Sequence, residues 1–74
     1  MQFGDIIAAE RKAKGMSQKD LASRILKEDG SAISPQYLND LERHRRNPPS
    51  DHIIEQFAAV LEVNPDYLFY VAGQ

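Results

Sequence analysis

Apolar residues recur along the chain at helical spacing and are cut into five blocks by turn and capping chemistry. Phe3, Ile6, Ile7 and Ala13 share one face of a first segment that Gly15 ends. Leu21, Ala22, Ile25 and Leu26 do the same in a second, predicted over about residues 17–27, and Leu38 and Leu41 in a third, over about 34–43. Ile53, Ile54, Phe57, Ala58 and Leu61 mark a fourth, and a short fifth from Pro65 to Val71 is apolar nearly all round. Ser17 with Asp20 three residues on makes a capping-box pattern. Ser34-Pro35 and Asn64-Pro65 each set a capping side chain before a proline at the first helical position, where its missing N–H costs nothing. Ser50, after Pro48-Pro49, can cap the fourth segment. No stretch of any length alternates with period two. The pattern predicts an all-α, compact five-helix bundle in which residues 1–74 form a single domain.

Composition then narrows the chemistry. The chain has no cysteine, which removes thiolate nucleophiles and Cys-based metal sites. His44 and His52 make no ligand cluster, so neither a metal nor a cofactor is expected. Ser17, Ser31, Ser34 and Ser50 read as caps or turn residues, the glycines form no phosphate-binding motif, and Glu28-Asp29 and Glu62 with Asp66 lie in loops or at helix ends. An enzyme is therefore not expected. No apolar run approaches the ~20 residues that span a bilayer. No charged-then-apolar leader opens the chain, and the expectation is a cytoplasmic domain away from any membrane.

A net charge of −2 argues against nucleic acid, but its distribution argues the other way. Residues 1–46 hold all nine Lys and Arg against seven acids, a surplus of +2. Residues 47–74 carry Asp51, Glu55, Glu62 and Asp66 and no base, giving −4. Such asymmetry suits a basic face docked to an anion and an acidic end held away from it.

The third segment is where that face acquires detail. At ~100° per residue, Leu38 and Leu41 point inward while Gln36, Asn39, Asp40 and Arg43 lie opposite. Gln and Asn amides pair with adenine edges, Arg with guanine or phosphate oxygens, and Asp40 can accept from cytosine N4. Arg45 and Arg46 follow Arg43 in a loop, and Gln18 and Lys19 open the second segment, where helical N–H groups favour phosphate. Phosphate contacts would set position while Gln36 and Asn39 reach bases.

The runs KAKGMSQKDLA, YLNDLERHRRNPPS and FAAVLEVNPDYL, in this order, make the chain resemble the DNA-binding domain of Cro/phage-repressor (XRE-type) helix-turn-helix regulators, from about Phe3 to Val71. The resemblance implies a lambda-repressor-like bundle whose second and third helices form a helix-turn-helix with a lengthened turn. It implies sequence-specific binding of double-stranded DNA by a transcriptional regulator, a repressor, with the third helix in the major groove. By position, Gln18 matches a phosphate-binding glutamine, Gln36 and Asp40 match base-contacting positions with Asn39 between them, and Arg43 with its loop matches backbone contacts. Ser34 and Tyr37 join Lys19, Arg45 and Arg46 in the expected phosphate set. Arg11 matches an arginine that pairs with the glutamate corresponding to Glu42, bracing the recognition helix.

Three departures stand out. KEDGSAI lies where relatives need a turn of three or four residues, which makes Lys27 available for phosphate. Pro35 offers only apolar contact to a base, such as a thymine methyl. His44 replaces the usual glycine after the helix and can touch phosphate, at some backbone cost. The fifth helix carries more apolar surface than it needs inside. The resemblance implies a homodimer at least on DNA, with Tyr67, Phe69 and Tyr70 at the interface and an inverted-repeat operator. The alternative is a protein-interaction module, an antitoxin or adaptor that holds its partner through the same helix.

Overall fold

Side-chain caps set where the helices begin. The computed structural model describes residues 1–73, with α1 at Phe3–Ala13, α2 at Gln18–Ala22, α3 at Pro35–Glu42, α4 at Asp51–Leu61 and α5 at Pro65–Ala72. Asp20 donates its N–H to Ser17 Oγ at 3.0 Å while its carboxylate accepts the Ser17 N–H at 3.2 Å, closing the capping box. Ser34 Oγ accepts from the Tyr37 N–H at 3.0 Å, Ser50 Oγ from Ile53 at 3.5 Å, and Asn64 Oδ1 from Asp66 at 2.8 Å. Pro35 and Pro65 occupy first-turn positions. Each such cap contributes about 1 kcal/mol. α1 begins less visibly, with the Gln2 N–H donating to Asp5 at 3.0 Å. That bond holds the Asp5 carboxyl below the ordinary carboxylate range, with His44 adding to it, and the Ser17 N–H does the same for Asp20.

The buried apolar residues form one cluster to which every helix contributes. Ile7, Leu21, Ile25, Leu38, Phe57, Leu61 and Leu68 are fully enclosed, and Phe3 meets Phe57 edge to face at 6.1 Å. α1 packs on α3, α4 and α5, α4 on α5, and α2 on α3. Ala13 is exposed rather than inward, because the position one turn beyond Ile7 is taken by the buried Arg11. No helix is long and apolar enough to cross a membrane, and no group of three His, Cys, Asp or Glu could hold a metal among the described residues.

The second helix is shorter than predicted, ending at Ala22 instead of continuing to about residue 27. Ser23 donates its hydroxyl to the Asp20 carbonyl at 2.7 Å, and the Arg24 and Ile25 N–H groups turn back to Leu21 and Ala22, tightening the last turn. Ile25 then leaves the helix to receive the Ile33 N–H at 3.0 Å, and both isoleucines are buried. Between them the lengthened turn folds as a small hairpin. Leu26 bridges Ala32, Lys27 donates to the Ser31 carbonyl at 2.8 Å, and Gly30 donates to Lys27 at 2.9 Å. Gly30 sits at φ +87°, the left-handed position that a three-residue hairpin loop requires. Leu26 is exposed, but its backbone is held from α4: its N–H donates to Gln56 Oε1 at 3.1 Å, and its carbonyl lies 3.0 Å from His52 Nε2.

One close approach fixes α1 against the end of α3. A Cβ on Gly4 would collide with the Leu41 carbonyl oxygen and crowd the Glu42 backbone. Gly4→Ala is expected to lower stability by ~1–3 kcal/mol, since backbone cannot yield as a side chain can. Urea unfolding measures this, and an unchanged midpoint would refute the packing argument.

Candidate nucleic-acid interface

α3 turns Leu38 and Leu41 into the core and presents a polar edge on its other side. Gln36 is exposed there, Asn39 and Asp40 are half-buried, and Pro35 stands exposed at the helix tip. Gln36 Nε2 donates to Asp40 Oδ1 at 3.0 Å, and Arg46 Nε donates to Asp40 Oδ2 at 3.5 Å. The Arg46 guanidinium also lies 5.0 Å from the Tyr37 ring centroid, a cation–π arrangement. Burial pushes the Tyr37 hydroxyl pKa up, against the opposing pull of Arg46.

On the inner side of the same helix, Glu42 gathers donors from two other helices. Arg11 donates from Nε to Glu42 Oε2 at 2.8 Å and from Nη2 to Oε1 at 2.9 Å. Its Nη1 donates to the Met16 carbonyl at 2.9 Å. The side chains are only 11% and 6% exposed, and the bonded carboxylate raises the Arg11 pKa against its burial. Gln18 Nε2 donates to Glu42 Oε1 at 3.0 Å and to Asn39 Oδ1 at 3.2 Å, and Arg43 Nε donates to the same Asn39 oxygen at 3.3 Å. The pair of Arg11 with Glu42 was legible in the sequence; the part of Gln18 in it was not. Because the Gln18 amide faces α3, any anion contact from this residue falls to its backbone N–H, one of those a helix start leaves unpaired.

The loop after α3 begins with a left-handed residue. His44 has φ +62°, the conformation that its glycine-replacing position demanded, and its N–H reaches the Leu41 carbonyl at 3.3 Å. The Arg45 N–H closes on the Asp40 carbonyl at 2.8 Å. His44 Nε2 lies 3.0 Å from Asp5 Oδ1, so its ring is tied to α1. Arg45 is exposed beside Arg46, His44 and Tyr37, which share a shallow concavity. Lys27, Ser34 and Tyr37 border a second groove between the hairpin and the start of α4. Ser34 keeps a hydroxyl proton to donate while its oxygen caps α3, and Lys19 stands exposed in the first turn of α2. On α5, Tyr67 and Tyr70 are 48% and 68% exposed, whereas Phe69 is half-buried and packs on the core.

A family profile described as helix-turn-helix matches residues 7–68. The chain belongs to the XRE-type helix-turn-helix family. Among curated proteins nothing matches. Among solved structures, the chain is 31% identical to SinR, described as the master regulator for biofilm formation, in a crystal structure with DNA. The alignment covers 92% of this chain and 98% of that one, with a TM-score of 0.76. The N-terminal DNA-binding domain of SinR from Bacillus subtilis gives 31% identity and a TM-score of 0.74 over 90% of this chain and 88% of that one. In a complex of SinR with SinI, the same share of this chain matches 59% of a longer chain at 31% identity, with a TM-score of 0.75. The five-helix order is thus that of the SinR DNA-binding domain, with the hairpin lying in the turn of the helix-turn-helix.

Removing one member of the buried ion pair leaves the other unmatched. Glu42→Ala is expected to cost ~3–5 kcal/mol, and Arg11→Met with Glu42→Leu much less than either single change. Denaturant melts of these variants measure both, and a freely tolerated Glu42→Ala would show that the pair does not brace α3.

Proposed function

We propose that this protein binds double-stranded DNA sequence-specifically as a transcriptional regulator, a repressor, with α3 in the major groove. One observation carries this reading: the polar edge of α3 is bordered by anion-seeking side chains from the start of α2, the hairpin and the loop after α3. Gln36, Asn39, Asp40 and Pro35 form the base-reading edge. Gln18 at the start of α2, with Lys19 next to it in sequence, and Arg43 converge on Asn39, while Tyr37 borders both the groove of Lys27 and Ser34 and the concavity of His44, Arg45 and Arg46. Repression needs only occupancy of a promoter, which a DNA-binding domain supplies by itself. The likeness to SinR bound to DNA supports the same assignment.

Binding should weaken steeply with salt, by roughly 0.9 log unit per log unit of salt for each phosphate neutralised. Gln36→Ala should lower affinity for the selected site by ~1–3 kcal/mol and barely alter binding to random duplex, while Arg45→Ala should weaken both alike. Titration of labelled duplexes at several salt concentrations reads both effects. An equal loss on both duplexes for Gln36→Ala would remove it from the base readers.

We further propose that α5 pairs two copies on an inverted repeat, with Tyr67 and Tyr70 in contact and Phe69 supporting them from the core side. Two-fold symmetry would set the recognition helices ~34 Å apart, one turn of duplex. Two exposed tyrosines a helical turn apart on a short helix support this, and they would equally suit a protein partner. Tyr70→Glu should leave the fold and half-site binding intact but abolish the two-copy complex on an inverted repeat, read by band-shift stoichiometry. An undiminished two-copy complex would place the dimer contact elsewhere.

A further inference from the structure

The polar edge of α3 contains two carboxamides, and a carboxamide can read either of two opposite patterns depending on which way it faces. Here the orientation is dictated. Asp40 is acceptor-only when ionised, so the atom of Gln36 that meets its Oδ1 at 3.0 Å is the amide nitrogen. The Gln36 oxygen is thereby turned away from Asp40, on a residue that is exposed. Glu42 imposes the same logic two links away. Its carboxylate, filled on the other side by Arg11, takes the Gln18 nitrogen at 3.0 Å, and that nitrogen then faces the Asn39 oxygen at 3.2 Å. Arg43, a pure donor, meets the same oxygen at 3.3 Å. Among the described residues, the Asn39 nitrogen is left without a protein partner.

Resting on the DNA-reading proposal above, we infer that these two carboxylates set the base preference of the recognition helix. Gln36 presents an acceptor beside the negative charge of Asp40, and Asn39 presents a donor one helical turn on. In the major groove the matching partner for Gln36 is an exocyclic amine, adenine N6 or cytosine N4, whereas guanine and thymine offer acceptors at that edge. Asn39 takes the opposite class, a guanine N7 or O6 or a thymine O4. Three residues of helix rise ~4.5 Å, close to one base-pair step, so the two readings fall on neighbouring positions. Asp40 is in this sense a specificity-determining residue whose action passes through Gln36, and it opposes affinity, because it holds Arg46 and sets a negative charge near phosphate.

Selection from a random duplex pool with the full chain, its Asp40→Ala variant and its Gln36→Ala variant tests this. The wild type should enrich A or C at one position and G or T at its neighbour. Gln36→Ala should erase the first preference and so identify that position. Asp40→Ala should cut discrimination there by about tenfold, the amide being free to turn, while raising affinity for random duplex. A merely structural role for Asp40 would lower specific and random binding together, and Ala at this helical site favours folding. Arg46→Ala, which keeps the bond between Gln36 and Asp40, should weaken all duplexes alike and preserve the preference. Duplex binding with G or T at the Gln36 position, or with Asp40→Ala discrimination unchanged, overturns the inference and leaves the DNA-reading proposal standing. Absence of duplex binding by the wild type overturns both.

Discussion

The carboxylate of Glu42 is the point on which the arrangement of the first three helices depends. It sits at the end of α3, 6% exposed, and takes two bonds from Arg11 on α1 and one from Gln18 on α2. Withdrawing such a charge from water costs several kcal/mol, which is offset only when its partners are complete and well placed. The apolar contribution of α2 is small, because this five-residue helix buries only Leu21 and Ala22. The angle between α2 and α3 is therefore set by polar bonds that have one good geometry as much as by packing. Gly4 acts in the same direction from α1, since its missing side chain lets that helix lie against the last carbonyls of α3.

A second fixed point governs the entry to α3. The hairpin before it is too short to stand alone, and an isolated two-stranded ribbon is marginal in water. His52 and Gln56, one turn apart on α4, engage the carbonyl and the N–H of Leu26 as a third strand would. Asp29 closes the loop by accepting from the Ser31 N–H at 2.9 Å and hydroxyl at 2.6 Å, bonds that keep its carboxyl pKa low. The added residues thus extend the fold beside Ser34 and Tyr37 without loosening it.

What could be read from the sequence follows from how local each cause is. The caps at Ser17, Ser34, Ser50 and Asn64 act within three residues, and the inward face of α4 repeats at 3.6, so both were plain. The left-handed turn at His44 and the pair of Arg11 with Glu42 became legible through the family pattern. The end of α2 did not, because Leu26 continues a helical apolar spacing and the side chains that hold it out of the helix lie 26 and 30 residues away. Ile33 escaped notice for the same reason: it sits in a stretch without periodicity and is buried by pairing with Ile25. The left-handed Glu62 that ends α4 also had no local signal, being a charged residue where glycine is usual. In the candidate site, residue types indicated what Gln18 and Asn39 could do, but only the fold showed that each is oriented by the other.

The modest charge of the chain fits this division of labour. Four cations of the proposed reading face, Lys19, Lys27, Arg43 and Arg45, have no ion-pair partner among the described residues, whereas Arg11, Lys14 and Arg46 are matched by Glu42, Glu62 and Asp40. Engagement of all four would give a salt slope of about 3.6, well short of a strongly basic DNA binder. Non-specific adhesion would be correspondingly limited, and on the proposed reading most of the selectivity would come from groups that are oriented before contact. A carboxylate on the reading edge then makes physical sense. On the proposed reading it would weaken the attraction every duplex shares and leave the hydrogen-bond pattern to decide which duplex is held, and the proposed second copy would recover the affinity that one reading face gives up.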